Sequence, residues 1–298
     1  YNNHVAQALK KEKVGGSEAC LQVFVEGHVD LVKQVEDPSN HDRLSTEFGL
    51  CNATQLSDDP RNVQLWLGDG VTSIETQGND PSCEEPLCNI AKKCAVLVQA
   101  RLEGATPAQA LAKLERQRQE LDGQECTDLS WQANIDFLSD TTFVRGGWRS
   151  WLWQTCTEFG FYQTCEVGSA CPYGRGFHPL SQDLEICERA FGVMASRVAM
   201  AVEESMQYYG GWHLGTTRVL SVNGDVDPWS ELALQRTIND ALPAFVVPGA
   251  SHHFWTHPVK ETDALEIMGA RELIFATIEH WLDDIDEEWS LRQPVSPN

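Results

Sequence analysis

Two short apolar runs, each followed by a loop of polar residues, constrain the fold of this chain most. The first run covers residues 219–222 and leads into Asn-Gly-Asp, and the second covers residues 244–247 and leads into Pro-Gly-Ala-Ser-His-His. Apolar runs of this length that end in a turn signal are typical of strands in a buried parallel sheet. Neighbouring parallel strands end at the same edge of a sheet, so the sequence predicts that Asp227 and His252 lie close together there.

This arrangement indicates the acid and the base of a catalytic triad. In an α/β-hydrolase the chain order is nucleophile, acid and histidine, and the last two lie on loops after two late strands. We predict Asp227 as the acid and His252 as the general base. Asp225 competes for the first role and His253 for the second, and of these Asp225 is expected to support its loop instead.

A metal site is the less favoured interpretation of the same loop. His252, His253 and His257 could supply ligands, and the last two would share a face if this stretch were helical. Pro258 and the glycine turn before the histidines argue against a helix, and the sequence contains no HExxH motif. We therefore expect no metal and no organic cofactor.

No residue of the sequence fits a serine nucleophile well. A nucleophile elbow requires a strand, then Gly-x-Ser-x-Gly, then a helix, and the sequence lacks this motif. The nearest match, Ser17 within Gly-Gly-Ser-Glu-Ala, has no second glycine and follows a charged helical segment. We interpret Ser17 as the N-cap of an amphipathic helix over residues 18–36.

The charge and the cysteines limit the partners and the compartment. With 44 acidic and 22 basic residues the net charge is −22, which argues against binding to nucleic acid or to an anionic membrane surface. No apolar run approaches the roughly 18 residues of a membrane span. Ten cysteines without a Cys-x-x-Cys pair indicate disulfides made in an oxidising compartment, and Asn52 lies in a glycosylation sequon.

The pattern along the chain predicts two regions that meet near residue 210. Helical periodicity dominates the first region, and the second contains the two strands and a helix over residues 263–283. This organisation is typical of a helical cap inserted into an α/β sheet and followed by the last units of that sheet. Two strands do not make a stable sheet alone, and the first helix has no cap before it, so we expect the front of the sheet to precede Tyr1.

The predicted helices are 87–101, 107–121 and 182–209. The predicted domains are a cap over 1–210, whose residues 1–15 are alternatively the tail of the front half, and a C-terminal hydrolase part over 211–298.

Three motifs resemble one family of serine peptidases. They are Asn-Gly-Asp-Val-Asp-Pro-Trp at 223–229, Gly-Ala-Ser-His-His at 249–253, and Trp-Gln-Thr-Cys-Thr-Glu-Phe-Gly-Phe-Tyr at 153–162. The chain resembles the family of prolyl carboxypeptidase, dipeptidyl peptidase II and thymus-specific serine protease. Residues 15–20 and 208–211 are most similar to the thymus-specific branch. The resemblance covers nearly the whole chain and is weakest over residues 57–149.

The resemblance implies an α/β fold, the α/β-hydrolase fold with only its C-terminal part present, and a large disulfide-rich helical cap. It implies a serine exopeptidase that acts after proline or small apolar residues, with a nucleophile upstream of this chain. Trp229 and Phe161 would line the substrate pocket. Independently of the resemblance, a carboxylate within an apolar, aromatic run is costly unless it is paired or functional, so Glu158 is expected to bind a substrate terminus or to close an internal ion pair. The disulfides implied are Cys156–Cys187 and Cys20–Cys165.

Peptide substrates are the expected partners, a homodimer is compatible with the sequence, and the expected location is lysosomal, endosomal or secreted. Without its nucleophile the chain alone is expected to be inactive. A different class of function follows if the natural protein begins near Tyr1. It would then be a non-catalytic, disulfide-rich binding module or pseudo-enzyme.

Overall fold

The computed structural model describes residues 1–72, 74, 76–142 and 147–292. Within these residues the helices are α1 Asn2–Leu9, α2 Glu18–Val35, α3 His41–Phe48, α4 Gln55–Asp58, α5 Pro60–Gly68, α6 Ile90–Leu102, α7 Pro107–Asp122, α8 Trp131–Ser139, α9 Trp148–Gln154, α10 Leu180–Phe191, α11 Ala195–Tyr209 and α12 Leu265–Arg292. The strands are β1 Ser221–Gly224 and β2 Ala244–Val247. A π-helical turn, Thr155–Phe159, continues α9.

The main hydrophobic core lies between α2, α6 and α7. The predicted cap of α2 is confirmed, because the Ser17 hydroxyl accepts a hydrogen bond from the Cys20 amide at 3.1 Å. A capping box on Thr106 begins α7, so this helix starts where the sequence predicts. Phe24 and Leu111 are fully buried in this core. Each buried side chain of this size contributes roughly 1.5–3 kcal/mol to folding, so this core anchors the helical region.

The predicted long helix over residues 182–209 is wrong, because the structure divides it into α10 and α11. Gly192 has a left-handed backbone (φ 70°) and its amide donates to the Glu188 carbonyl, which ends α10. Met194 is extended and precedes the first turn of α11. The apolar spacing continues through this break, but a glycine at the C-terminal cap stops the helix more strongly than the spacing extends it.

Five disulfides staple the helical region. The expected Cys156–Cys187 bond is present. The expected Cys20–Cys165 bond is wrong. Cys20, in the first turn of α2, bonds Cys94 on the neighbouring α6, whereas Cys165 closes a short loop with Cys171. Packing of α2 on α6 brings the Cys20 and Cys94 Cα atoms within 5.2 Å, which determines the partner. The remaining pairs are Cys51–Cys126 and Cys83–Cys88.

The two strands form a parallel pair in which Ser221 lies opposite Ala244 and Gly224 opposite Val247. The strand predicted over residues 244–247 is confirmed, and β1 begins two residues later than predicted. The helix predicted over 263–283 is longer, since α12 runs from Leu265 to Arg292. A small core of β2, α12 and Phe254 covers one side of the pair. The loops that follow β1 and β2 therefore both start from the same edge of this supported strand pair.

The tryptophan-rich stretch of residues 144–157 falls partly on α9, and Val144 lies outside the described residues. Of the helices that the structure describes, none combines the length and the apolar character of a membrane span.

Candidate active site

The predicted acid and base lie in direct contact at the carboxyl ends of the two strands. The Asp227 Oδ2 atom lies 2.8 Å from the His252 Nδ1 atom. The second carboxylate oxygen of Asp227 accepts a hydrogen bond from the Trp229 amide at 2.9 Å, so both oxygens are held. Asp227 is buried, whereas 36% of the His252 side chain is exposed. An imidazole fixed through Nδ1 presents Nε2 for proton transfer.

The contact depends on the close approach of the two loops. The Val226 amide donates to the Ala250 carbonyl at 3.0 Å. A β-carbon on Gly224 would lie 2.2 Å from the Ala250 carbonyl oxygen, so only glycine fits at the end of β1. The Asp225 carboxylate accepts from the Gly249 amide at 2.6 Å and binds Lys11 at 2.8 Å. Asp225 thus supports the loop, as the sequence predicts.

The other histidines of the loop have different contacts. His253 has a left-handed backbone (φ 41°) and its Nδ1 atom lies 3.2 Å from the Thr256 hydroxyl. The rings of His252 and His253 lie 4.4 Å apart, and His257 contacts His253 rather than His252. Among the residues with described positions, no group of three or more His, Cys, Asp or Glu side chains is arranged to bind a metal ion.

Gln77 connects the histidine loop to the helical region, and no motif in the sequence predicts this role. Its backbone carbonyl accepts a hydrogen bond from the His252 amide at 2.9 Å. Its side-chain Oε1 accepts from the Trp229 indole at 2.7 Å and from the Tyr1 hydroxyl at 3.1 Å. Gln77 lies in a loop far from both strands along the chain, where no local pattern predicts these contacts.

An aromatic wall stands beside the Asp227–His252 pair. The ring of Trp229 packs edge-to-face on the rings of Trp151 and Tyr1, with centroid distances of 5.4 and 5.5 Å. The ring centroid of Phe161 lies 5.1 Å from that of Trp229. Phe161 has a left-handed backbone (φ 58°), which a bulky residue adopts only when its surroundings impose it. The predicted positions of Trp229 and Phe161 beside the pair agree with this geometry.

A cleft of about 930 Å³ connects this wall to the helical region. Its lining includes Phe161, Trp229 and His252, together with residues of α5, α9 and α10. Glu158 does not belong to this lining in the described structure. It is exposed on the π-helical turn and accepts a hydrogen bond from Ser205 at 3.3 Å. The carboxylate of Glu158 is therefore exposed, whereas the sequence-based expectation started from a carboxylate placed in an apolar, aromatic run.

Comparison with known proteins identifies the family of this chain. The profile of the family described as Serine carboxypeptidase S28 matches residues 1–274. This chain belongs to the S28 family. S28 peptidases have an α/β-hydrolase-like fold, and in this member the described part is mainly helical with a small parallel sheet and disulfides.

Named relatives include the thymus-specific serine protease of Mus musculus, 33% identical over 297 residues, which are 97% of this chain and 57% of the relative. The thymus-specific serine protease of Homo sapiens is 28% identical over 95% of this chain and 55% of its own length. The lysosomal Pro-X carboxypeptidase of Bos taurus is 27% identical over 52% of this chain and 30% of its own length. This S28 chain thus spans little more than half the length of the two thymus-specific relatives, which match nearly all of it.

Proposed function

We propose that this chain carries the acid and the base of a serine exopeptidase that hydrolyses peptides. The observation that supports this most strongly is the 2.8 Å contact between Asp227 Oδ2 and His252 Nδ1 at the ends of two parallel strands. Membership of the S28 family, whose description is serine carboxypeptidase, supports the serine-type mechanism.

In the proposed mechanism His252 moves one proton in each direction. Its Nε2 atom takes the proton of the serine hydroxyl as the oxygen attacks the peptide carbonyl, and then gives that proton to the leaving amine. Water repeats the sequence to release the acyl group. Asp227 accepts the Nδ1–H hydrogen bond throughout, which holds the tautomer and stabilises the imidazolium ion. Its second hydrogen bond, from the Trp229 amide, keeps the carboxylate oriented.

The proposed nucleophile lies on a segment upstream of Tyr1, so the chain alone is inactive. In the α/β-hydrolase order the serine comes before the acid, and this chain covers only 57% and 55% of the two thymus-specific relatives. Ser17 is not proposed as nucleophile, because its hydroxyl caps α2. The chain would then consist of a helical cap over residues 1–210 and the C-terminal part of the hydrolase domain over residues 211–298.

The proposed substrate pocket is the aromatic wall. Trp229 and Phe161 offer flat apolar surfaces within reach of His252, which suit a proline or a small apolar residue next to the scissile bond. Residues of the helical region line the cleft together with the histidine loop, and in this proposal they restrict entry to chain ends, as an exopeptidase requires.

A secretory route is proposed for the protein, to the lysosome or to the outside of the cell. The disulfides support an oxidising compartment, and relatives carry the names lysosomal Pro-X carboxypeptidase and extracellular serine carboxypeptidase. Asn52 is exposed beside the Cys51–Cys126 bond, as a glycosylation site requires. A homodimer of this protein is also proposed.

The test is labelling with a fluorophosphonate, which reacts with activated serines, followed by peptide mapping. The chain of residues 1–298 and the product of the whole gene are labelled in parallel. We expect label on a serine upstream of Tyr1 in the whole product, and loss of that label in His252→Ala. Label on Ser17 would contradict the proposed position of the nucleophile, and absence of label on both proteins would favour the non-catalytic pseudo-enzyme.

A further inference from the structure

A second polar cluster, remote in sequence from Asp227 and His252, lines the same cleft. His178 lies between two carboxylates. Its Nε2 atom is 3.0 Å from Asp183 Oδ2, and its Nδ1 atom forms an ion pair with Asp69. Burial alone lowers the pKa of His178, but the hydrogen bonds to Asp183 and Asp69 outweigh burial and raise this pKa to about 10. Burial also raises the pKa of Asp183, against the effect of its hydrogen bond to His178. With both carboxylates ionised, the cluster combines one cation with two anions and has a net negative charge.

Buried polar groups without partners line the same cleft as this cluster, and Gln182 is the α10 neighbour of Asp183 in the chain. Gln182 is only 4% exposed, and both its amide oxygen and its amide nitrogen have no hydrogen-bond partner among the described residues. The Thr72 hydroxyl and the Trp66 indole N–H are also buried and unpartnered in the described part of the chain. All three residues line the cleft. A buried polar group left unpaired destabilises the protein, so a ligand that pairs with these groups gains binding energy.

The unpartnered groups match the chemistry of a peptide unit. The carboxamide of Gln182 can donate through its NH2 group and accept at its oxygen, which complements the C=O and N–H of a peptide. The Trp66 indole can donate only, and the Thr72 hydroxyl can do either. The cleft also has a suitable size, because about 300–1,000 Å³ is typical of ligand pockets.

The charges of the lining select one end of a peptide. Apart from the histidines near Asp227, the cations that line the described cleft are Arg118 and His178. Arg118 is already bound through two nitrogens to the Glu115 carboxylate, and His178 is bound to its two aspartates. A peptide carboxylate thus finds no uncommitted cation there. An ammonium group finds Asp69, whose side chain is 49% exposed.

We propose that this cluster binds the amino terminus of a peptide, with the ammonium group against Asp69 and Asp183 and the first peptide unit on Gln182. The inference rests on the proposed peptidase function and specifies its substrate. It assigns recognition of the free amino end to residues of α10 and of the loop that follows α5. It thereby predicts an enzyme that requires a free amino terminus rather than a free carboxylate.

The experiment measures binding without turnover. The whole gene product with His252→Ala is titrated by calorimetry with peptides of one to four alanines followed by Pro-Ala. Each peptide is paired with a partner whose first residue is propionyl, which replaces the ammonium group by hydrogen and leaves the rest unchanged. We expect the free amine to bind about tenfold tighter or more at one length at least, since a hydrogen bond to a charged group contributes about 1.5–3 kcal/mol.

Variants locate the effect. Asp69→Asn should reduce the ratio of the two Kd values to below about threefold, and Gln182→Leu should weaken binding of both members of a pair by a similar factor. Asp42→Asn and Gln22→Leu, at exposed positions outside the cleft lining, are the matched controls and should leave both affinities unchanged. Circular dichroism melts verify that each variant is folded.

Equal affinities within every pair would overturn the proposal, as would an undiminished ratio in Asp69→Asn. Either result would leave the cluster as a structural tie between the loop and α10. Because binding is measured in the His252→Ala protein, this failure is distinct from failure of the proposed catalysis, which the labelling experiment detects. Tighter binding of peptides with a free carboxylate than of their amides, without any amine preference, would also contradict the proposal.

Discussion

At the residue scale, the described structure contains two buried histidines whose environments shift the pKa in opposite directions. His178 lies between carboxylates and its pKa is raised, as described above. His28 is fully buried in the helical core. Burial lowers its pKa to about 4, against the effect of a 2.8 Å hydrogen bond to the Phe24 carbonyl. The Nε2 atom of His28 accepts a hydrogen bond from the Val71 amide, so the neutral ring is the form that fits.

The pH dependence of stability follows for His28. Its pKa in the folded state is depressed below the usual 6.5, so its contribution is fully present above pH 6.5 and is lost as the pH falls toward 4. We expect this one group to lower the free energy of unfolding by about 2 kcal/mol between pH 8 and pH 5. Urea unfolding of wild type and His28→Gln at both pH values measures the effect. An equal loss in the two proteins would contradict it.

At the element scale, the site depends on where β1 ends. Gly224→Ala should push the Ala250 carbonyl away, because the new β-carbon would otherwise lie 2.2 Å from its oxygen. We expect a loss of about 1–3 kcal/mol in stability and a separation of His252 from Asp227 that lowers kcat at least tenfold in the whole protein. Gly269→Ala on α12, where a β-carbon meets nothing within 4 Å, is the matched control. Equal behaviour of the two variants would exclude the steric explanation.

The loop that contains Gln77 connects the helical region to the aromatic wall. Gln77→Leu removes the acceptor of the Trp229 indole but keeps the backbone carbonyl that holds His252. We expect KM for a proline-containing peptide to rise about three- to tenfold with little change in kcat, because the wall is disordered while the acid–base pair is kept. Gln77→Glu restores an acceptor and should recover most of the affinity. A fall in kcat with unchanged KM would show that Gln77 does not act through the wall.

At the scale of the whole molecule, the sequence predicted what local pattern and chain order determine. The strand over residues 244–247 and the Asp227–His252 contact followed from short apolar runs ending in polar loops. The break between α10 and α11 was missed because apolar spacing continues past Gly192. The partner of Cys20 depends on how α2 packs on α6, and Gln77 reaches His252 across 175 positions of the chain. Such contacts depend on how distant elements pack together, and the spacing of apolar residues along the chain does not predict that packing.

The central claim is that Asp227 and His252 act as a unit, and the rate of the whole enzyme tests it most directly. The measurement compares kcat for a proline-containing peptide in Asp227→Asn, His252→Ala and the double variant, with His253→Ala as the neighbouring control. We expect each single variant to lose about 10⁴-fold or more, the double variant to lose little beyond that, and His253→Ala to keep kcat within about tenfold. A large loss in His253→Ala with activity retained in His252→Ala would contradict the account.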